Sequence, residues 1–168
     1  MNKLKAAVLY ECSTKIKAMC IFYAIQYIIV ALIFGMIALF VGGENVGSNV
    51  LEVSTVVFVS VMGVLGYKED CKALIQNGYT RKYIFLSTIF MFVFITGVMA
   101  LIDTVIGNVI HHFRDSYFTL YGGLYGYGNF FANWLFLMAL YLMFCSLFYL
   151  AVLIINIVGK MTALFIGG

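Results

Sequence analysis

The sequence predicts an all-α, polytopic membrane protein with four transmembrane helices. Of its 168 residues, 64% are hydrophobic and only 10% are charged, whereas a soluble domain carries about 25% charged residues. Four apolar runs alternate with polar segments, and a helix of about 20 apolar residues is enough to cross a hydrocarbon core. The chain is therefore expected to form a single membrane domain over residues 1–168.

The N-terminal segment, residues 1–17, is predicted to be an amphipathic helix lying on the membrane surface. Its apolar residues recur every four positions, at Leu4, Val8, Cys12 and Ile16. The lysines of this segment lie largely off that stripe, although a basic leader without fixed structure is the alternative. Residues 18–41 carry no charge and form the first predicted span, which is too long for the apolar part of a cleaved signal peptide.

The second and third predicted spans each contain an acidic residue. Residues 50–66 form the second span, which is short, and Glu52 is expected at its outer rim. Residues 83–107 form the third span, and Asp103 lies about 30 Å along the helix from Tyr83 at about 1.5 Å per residue. An acid buried in a membrane would indicate function. This count instead favours a wet position for Asp103 at the far interface.

The last part of the chain is predicted to hold an outer loop and a fourth span. Residues 108–129 form the loop, whose tyrosines suit a membrane interface. Residues 130–158 form the fourth span, which is long enough to be tilted. After Lys160 the run "MTALFIGG" is apolar again, like the start of a fifth span. The chain is therefore expected to be a fragment, with a short buried tail as the alternative.

The basic residues predict the orientation of the chain. One side of the membrane would receive nine of them: Lys3, Lys5, Lys15, Lys17, Lys68, Lys72, Arg81, Lys82 and Lys160. The other side would receive only Arg114. Because basic loops stay in the cytoplasm, both termini and the loop of residues 68–82 are expected there.

No motif for catalysis or for ligand binding is found in the sequence. It has no G-x-x-x-x-G-K-[ST] loop, no H-E-x-x-H and no C-x-x-C. His111 and His112 are adjacent, so on a helix their side chains diverge and would chelate a metal poorly. We expect no enzymatic activity, no cofactor, no metal, no nucleic-acid partner and no disulfide framework.

The charged loop of residues 68–82 is predicted to contain a short cytoplasmic helix. Glu69 and Asp70 fall in its first turn, where the helix dipole favours acids. Asn77-Gly78 is a helix stop, because glycine suits the left-handed position after the last turn. Thr80 could cap the third span, and Arg81 and Lys82 could anchor it at the lipid headgroups.

The candidate functional residues are those of this helix. Cys71, Leu74 and Ile75 are predicted to share one apolar face that a cytoplasmic partner could cover. The full candidate docking set is Lys68, Glu69, Asp70, Cys71, Lys72, Leu74, Ile75 and Gly78. The alternative is that the charges of the loop only set the topology.

The run "YKEDCKALIQNGYTRKYIFLSTIF" resembles the first cytoplasmic loop of the permease subunits of bacterial ATP-binding-cassette exporters, type 2. The turn "IQNGYTRKYIF" is similar to the "NG-x-[ST]-R-K" turn of many such permeases. The resemblance implies a bacterial cytoplasmic membrane, a separate ATPase subunit that docks on the loop helix, and a second permease copy. Here the fifth and sixth spans of that family are missing. The alternative is a small non-transporting membrane protein of the bacteriocin-immunity or accessory type.

Overall fold

The described residues of the chain are helical and contain no strand. The computed structural model describes residues 3–40, 50–66, 71–113, 119–126 and 129–166. Their helices are α1 Lys3–Phe40, α2 Val50–Leu65, α3 Cys71–Gln76, α4 Arg81–Phe113, α5 Leu120–Tyr125 and α6 Phe130–Ile166. The predicted all-α class is confirmed for this part of the chain. Arg114 and the loop of residues 41–49 lie outside it.

Three helices are long and apolar enough to cross a membrane, which makes this chain a membrane protein. The apolar stretches are Lys15–Leu32 in α1, Arg81–His112 in α4 and Phe130–Val158 in α6. The second predicted span corresponds to α2, whose apolar stretch Leu51–Leu65 is shorter. A helix of that length is short for a hydrocarbon core of about 30 Å.

The helices pack around one interior. α6 lies against both α2 and α4, and α4 also lies against α1. The first turns of α1, including Val8 and Ile16, lie beside Phe90 of α4, while Tyr23 further along α1 bonds to Asp103. α1 and α4 therefore run in the same direction. Fully buried members of the core include Val59, Met99, Ala100, Leu137 and Tyr141.

The segment predicted as a surface helix, residues 1–17, is not separated from the first predicted span in the structure. α1 is continuous from Lys3 to Phe40, with no break before the first predicted span. No glycine or proline interrupts residues 3–34, so nothing in the sequence forces a break. Cys12 packs against the core, and Lys15 is buried. Val8, Cys12 and Ile16 of the predicted apolar stripe lie on the side of α1 near Phe90 and Phe94 of α4.

Two helices extend beyond the predicted spans. α4 continues through Phe113, so the first residues of the predicted outer loop belong to a helix. The same loop contains α5, which Thr119 caps by accepting a hydrogen bond from the Gly122 N–H at 2.9 Å. α6 continues through Ile166. Residues 161–166 therefore continue the helix that contains the fourth predicted span.

The close approach of α2 to α6 depends on Gly63. A Cβ at this position would clash with the backbone carbonyl oxygen of Cys145. A backbone atom cannot move aside unless its helix shifts. We therefore expect Gly63→Ala to lower the free energy of unfolding by about 1–3 kcal/mol, the usual effect of overpacking.

The matched control is Gly97→Ala in α4. A Cβ there would meet the flexible side chain of Met138, with the sulfur at 3.8 Å. Alanine also has the higher helix propensity, so this variant should be neutral or more stable. Thermal unfolding in detergent compares the two. Equal stability of the two variants would contradict the close contact between α2 and α6.

Candidate functional site

Asp103 is buried among the helices, which makes it the first candidate for a functional residue. Its side chain is only 4% exposed. The prediction that Asp103 is wet is therefore wrong. The apolar stretch of α4 runs on past Asp103 to His112, and α1 and α6 both pack over this part of α4.

Two tyrosines from other helices bind the Asp103 carboxyl group. The Tyr141 hydroxyl of α6 donates to Oδ2 at 2.6 Å. The Tyr23 hydroxyl of α1 donates to Oδ1 at 3.0 Å and also lies 3.2 Å from the Met99 carbonyl oxygen. Both tyrosines are buried. One carboxyl group therefore joins α1, α4 and α6.

Helix α2 adds a threonine and a second acid to this interior. Thr55 is fully buried beside the Asp103 carboxyl group, and its hydroxyl donates to the Leu51 carbonyl oxygen at 3.0 Å. Glu52 is 1% exposed, and its Oε2 accepts a hydrogen bond from the Leu120 N–H of α5. Glu52 does lie at the end of α2, as expected, but it is covered. The buried acid cluster is defined as Asp103, Glu52, Tyr23, Thr55 and Tyr141.

Further polar contacts tie the helices together. Gln26 Nε2 of α1 donates to the Leu51 carbonyl oxygen at 3.0 Å and to Ser54 Oγ at 2.6 Å, both on α2. Trp134 Nε1 of α6 donates to the Gly97 carbonyl oxygen of α4 at 3.0 Å. Such bonds stabilise helix pairs in membranes, where apolar surface alone gives no preference between a helix and lipid.

The buried acid cluster suits proton binding or helix attachment better than covalent chemistry. Ionisable residues inside membrane helices are rare and often functional. The described residues contain no group of three or more His, Cys, Asp or Glu side chains placed to hold a metal ion. The neighbours of Asp103 are hydroxyl groups that can donate hydrogen bonds. They stabilise the carboxylate and position it between three helices.

The second candidate is α3, which lies in the predicted cytoplasmic loop. Lys68, Glu69 and Asp70 lie outside the described residues. Cys71 begins the helix, and Lys72 is exposed. Of the predicted apolar face, Ile75 is 60% exposed but Leu74 is only 2% exposed.

The end of α3 has the hydrogen bonds of a Schellman motif. Gly78 has a φ of 74°, and its N–H donates to the Ile75 carbonyl oxygen at 3.0 Å. The Tyr79 N–H donates to the Leu74 carbonyl oxygen at 3.1 Å. The prediction that Gly78 ends the helix in a left-handed conformation is confirmed. Thr80 occupies the capping position of α4, where its carbonyl oxygen accepts from the Ile84 N–H at 3.1 Å.

The prediction that Leu74 offers a docking surface is wrong. Leu74 packs with Ile84 of α4 and with Tyr79. A contact between Leu74, the third residue from the end of α3, and Tyr79, the third residue after it, commonly accompanies a Schellman motif. The sequence pattern Leu-x-x-Asn-Gly-Tyr, residues 74–79, indicates this contact. Ile75 stays exposed, and α3 is fixed to the start of α4.

Comparison of the chain with protein-family models, with curated proteins and with solved structures finds no match.

Removing the hydrogen bond from Tyr141 to Asp103 should destabilise the fold. Tyr141→Phe removes a donor to a buried carboxylate, and hydrogen bonds to charged groups contribute about 1.5–3 kcal/mol. We expect the free energy of unfolding in detergent to fall by about that amount. The matched control is Tyr27→Phe, because the buried Tyr27 hydroxyl has no hydrogen-bond partner among the described residues. Similar losses in both variants would contradict the assigned role of Tyr141.

Proposed function

We propose that this chain is a permease subunit of an ATP-driven exporter in a bacterial cytoplasmic membrane. α1, α2, α4 and α6 are its four spans, and both chain ends lie in the cytoplasm. The chain pairs with a second permease copy and works with a separate ATPase subunit. This order of helices, with α3 between the second and third spans, supports the proposal.

The observation that carries the proposal is the way in which α3 is attached. The Schellman motif and the packing of Leu74 on Ile84 join α3 to the first turn of α4. A partner that pushed α3 would therefore push α4 as well. Ile75 projects from α3 where such a partner can cover it.

The motion of α4 would reach the interior of the bundle through Asp103. This residue lies on α4 and is bonded to Tyr23 of α1 and Tyr141 of α6. A displacement of α4 must carry these two helices along or break their bonds to the carboxyl group. The buried acid cluster thus links the ATPase side of the chain to the relative positions of the spans.

The positions of the basic residues support the orientation of the chain in the membrane. Lys72, Arg81 and Lys82 are exposed around α3 and at the start of α4. The side that carries them also carries most basic residues of the sequence, which marks it as cytoplasmic. Exposed cations next to Ile75 favour a partner surface with an apolar pocket and acidic residues at its edge.

One feature of this chain differs from the exporter permeases that its loop resembles. Those permeases begin with a surface helix, whereas α1 is continuous from Lys3 to Phe40. The proposal therefore depends on α3 and on the order of the spans, and not on the N-terminal segment. A small membrane protein that needs no ATPase is the alternative that the following experiment separates.

Ile75→Asp tests the proposal. Ile75 is exposed, so an aspartate there should leave the fold intact, whereas Leu74→Asp would disrupt the chain itself. Burying an isoleucine side chain contributes about 1.5–3 kcal/mol, and interface energy concentrates in few residues. We expect Ile75→Asp to reduce co-purification of the ATPase subunit at least tenfold.

The matched control is Leu124→Asp on α5, because Leu124 is 69% exposed on an element far along the chain from α3. This variant should keep the ATPase subunit. If the wild-type chain binds no ATPase, or if Ile75→Asp binds it as well as Leu124→Asp does, the permease proposal fails. The chain would then be assigned to the accessory class.

A further inference from the structure

Glu52 is a buried acid whose two oxygens have unequal surroundings. Its Oε2 accepts a hydrogen bond from the Leu120 N–H at the start of α5. Its Oε1 is buried and has no hydrogen-bond partner in the described part of the chain. A carboxylate oxygen that has lost its water and gained no donor is strongly unfavourable. Oε1 is therefore the atom of Glu52 at which a negative charge is least stabilised.

Glu52 lies beside other polar groups of the buried acid cluster. Asp103 of α4 acts on Glu52 through its charge, and Glu52 in turn acts on Tyr141 of α6. Tyr23 of α1 faces Asp103, and Tyr121 and Tyr125 of α5 contact the ring of Phe136. The groups that act on Glu52 include the Asp103 charge and the Leu120 N–H.

The two acids differ in how well each can hold a charge. Both oxygens of Asp103 accept from tyrosine hydroxyls, so its ionised form is fully satisfied. Glu52 has one amide donor for two oxygens. Removing an ion from water costs more than one charge-assisted hydrogen bond returns, and a second negative charge nearby adds to that cost. The geometry therefore favours a state in which Glu52 carries a proton and Asp103 is ionised.

We propose that Glu52 is a proton-binding site that is occupied at neutral pH, with the proton on Oε1. The ligand is a proton, taken up from water as the carboxylate becomes a carboxylic acid. The protonated form keeps Oε2 as the acceptor for the Leu120 amide, so α5 stays attached to α2. Loss of the proton places two charges in the buried acid cluster and weakens this attachment. The inference does not depend on an ATPase partner.

Infrared spectroscopy of the full chain in lipid tests the proposal, because a protonated carboxyl group has a carbonyl band that a carboxylate lacks. We expect this band in the wild type at neutral pH, and we expect it to persist in Asp103→Asn. It should vanish in Glu52→Gln, in which the amide oxygen still accepts from Leu120. The thermal unfolding midpoint of Glu52→Gln should match that of the wild type.

Three results would overturn the proposal: no such band in the wild type, a band that persists in Glu52→Gln, or loss of the band in Asp103→Asn. If Glu52→Gln does not fold, the wild type carrying glutamate with an isotope at the side-chain carboxyl carbon replaces it. A band shifted by this label supports the assignment to a glutamate. An unshifted band contradicts it.

Discussion

The arrangement of the long helices depends on one buried carboxyl group, that of Asp103. In a membrane, apolar helix faces pack against lipid about as well as against one another, so apolar surface does little to select a register. A carboxyl group inside the bundle does select one, because its oxygens must find donors. Tyr23 and Tyr141 supply these donors from α1 and α6.

This constraint accounts for the position of α1. With Tyr23 fixed at Asp103, the earlier turns of α1 lie along α4, and Cys12 packs against the core. The N-terminal segment therefore continues α1 alongside α4 without a break. At the other end of α4, the packing of Leu74 on Ile84 fixes α3. Helix α4 thus connects α3, with its exposed Ile75, to the buried acid cluster.

Local patterns in the sequence predicted local features correctly. The Asn-Gly pair predicted the end of α3, because a left-handed residue at that point requires only its neighbours. The burial of Asp103 could not be predicted in this way, since its partners lie 80 and 38 residues away in the sequence. Leu74 was misassigned because the face of a six-residue helix is decided by the element it packs on, here α4. The apolar runs predicted the long helices, but α4 and α6 extend beyond residues 107 and 158 because each helix continues through a glycine, Gly107 or Gly159, at which the prediction ended it.

The central claim is that Asp103, Tyr23 and Tyr141 act as one coupled unit. The most direct test compares the unfolding free energy of Asp103→Leu with that of the triple variant Asp103→Leu/Tyr23→Phe/Tyr141→Phe. The single change leaves the buried Tyr141 hydroxyl without its acceptor and the Tyr23 hydroxyl with only the Met99 carbonyl oxygen, whereas the triple change removes both sides of each bond to Asp103. The triple variant should therefore be the more stable of the two. If the three losses simply add, so that the triple variant is the less stable, the claim is contradicted.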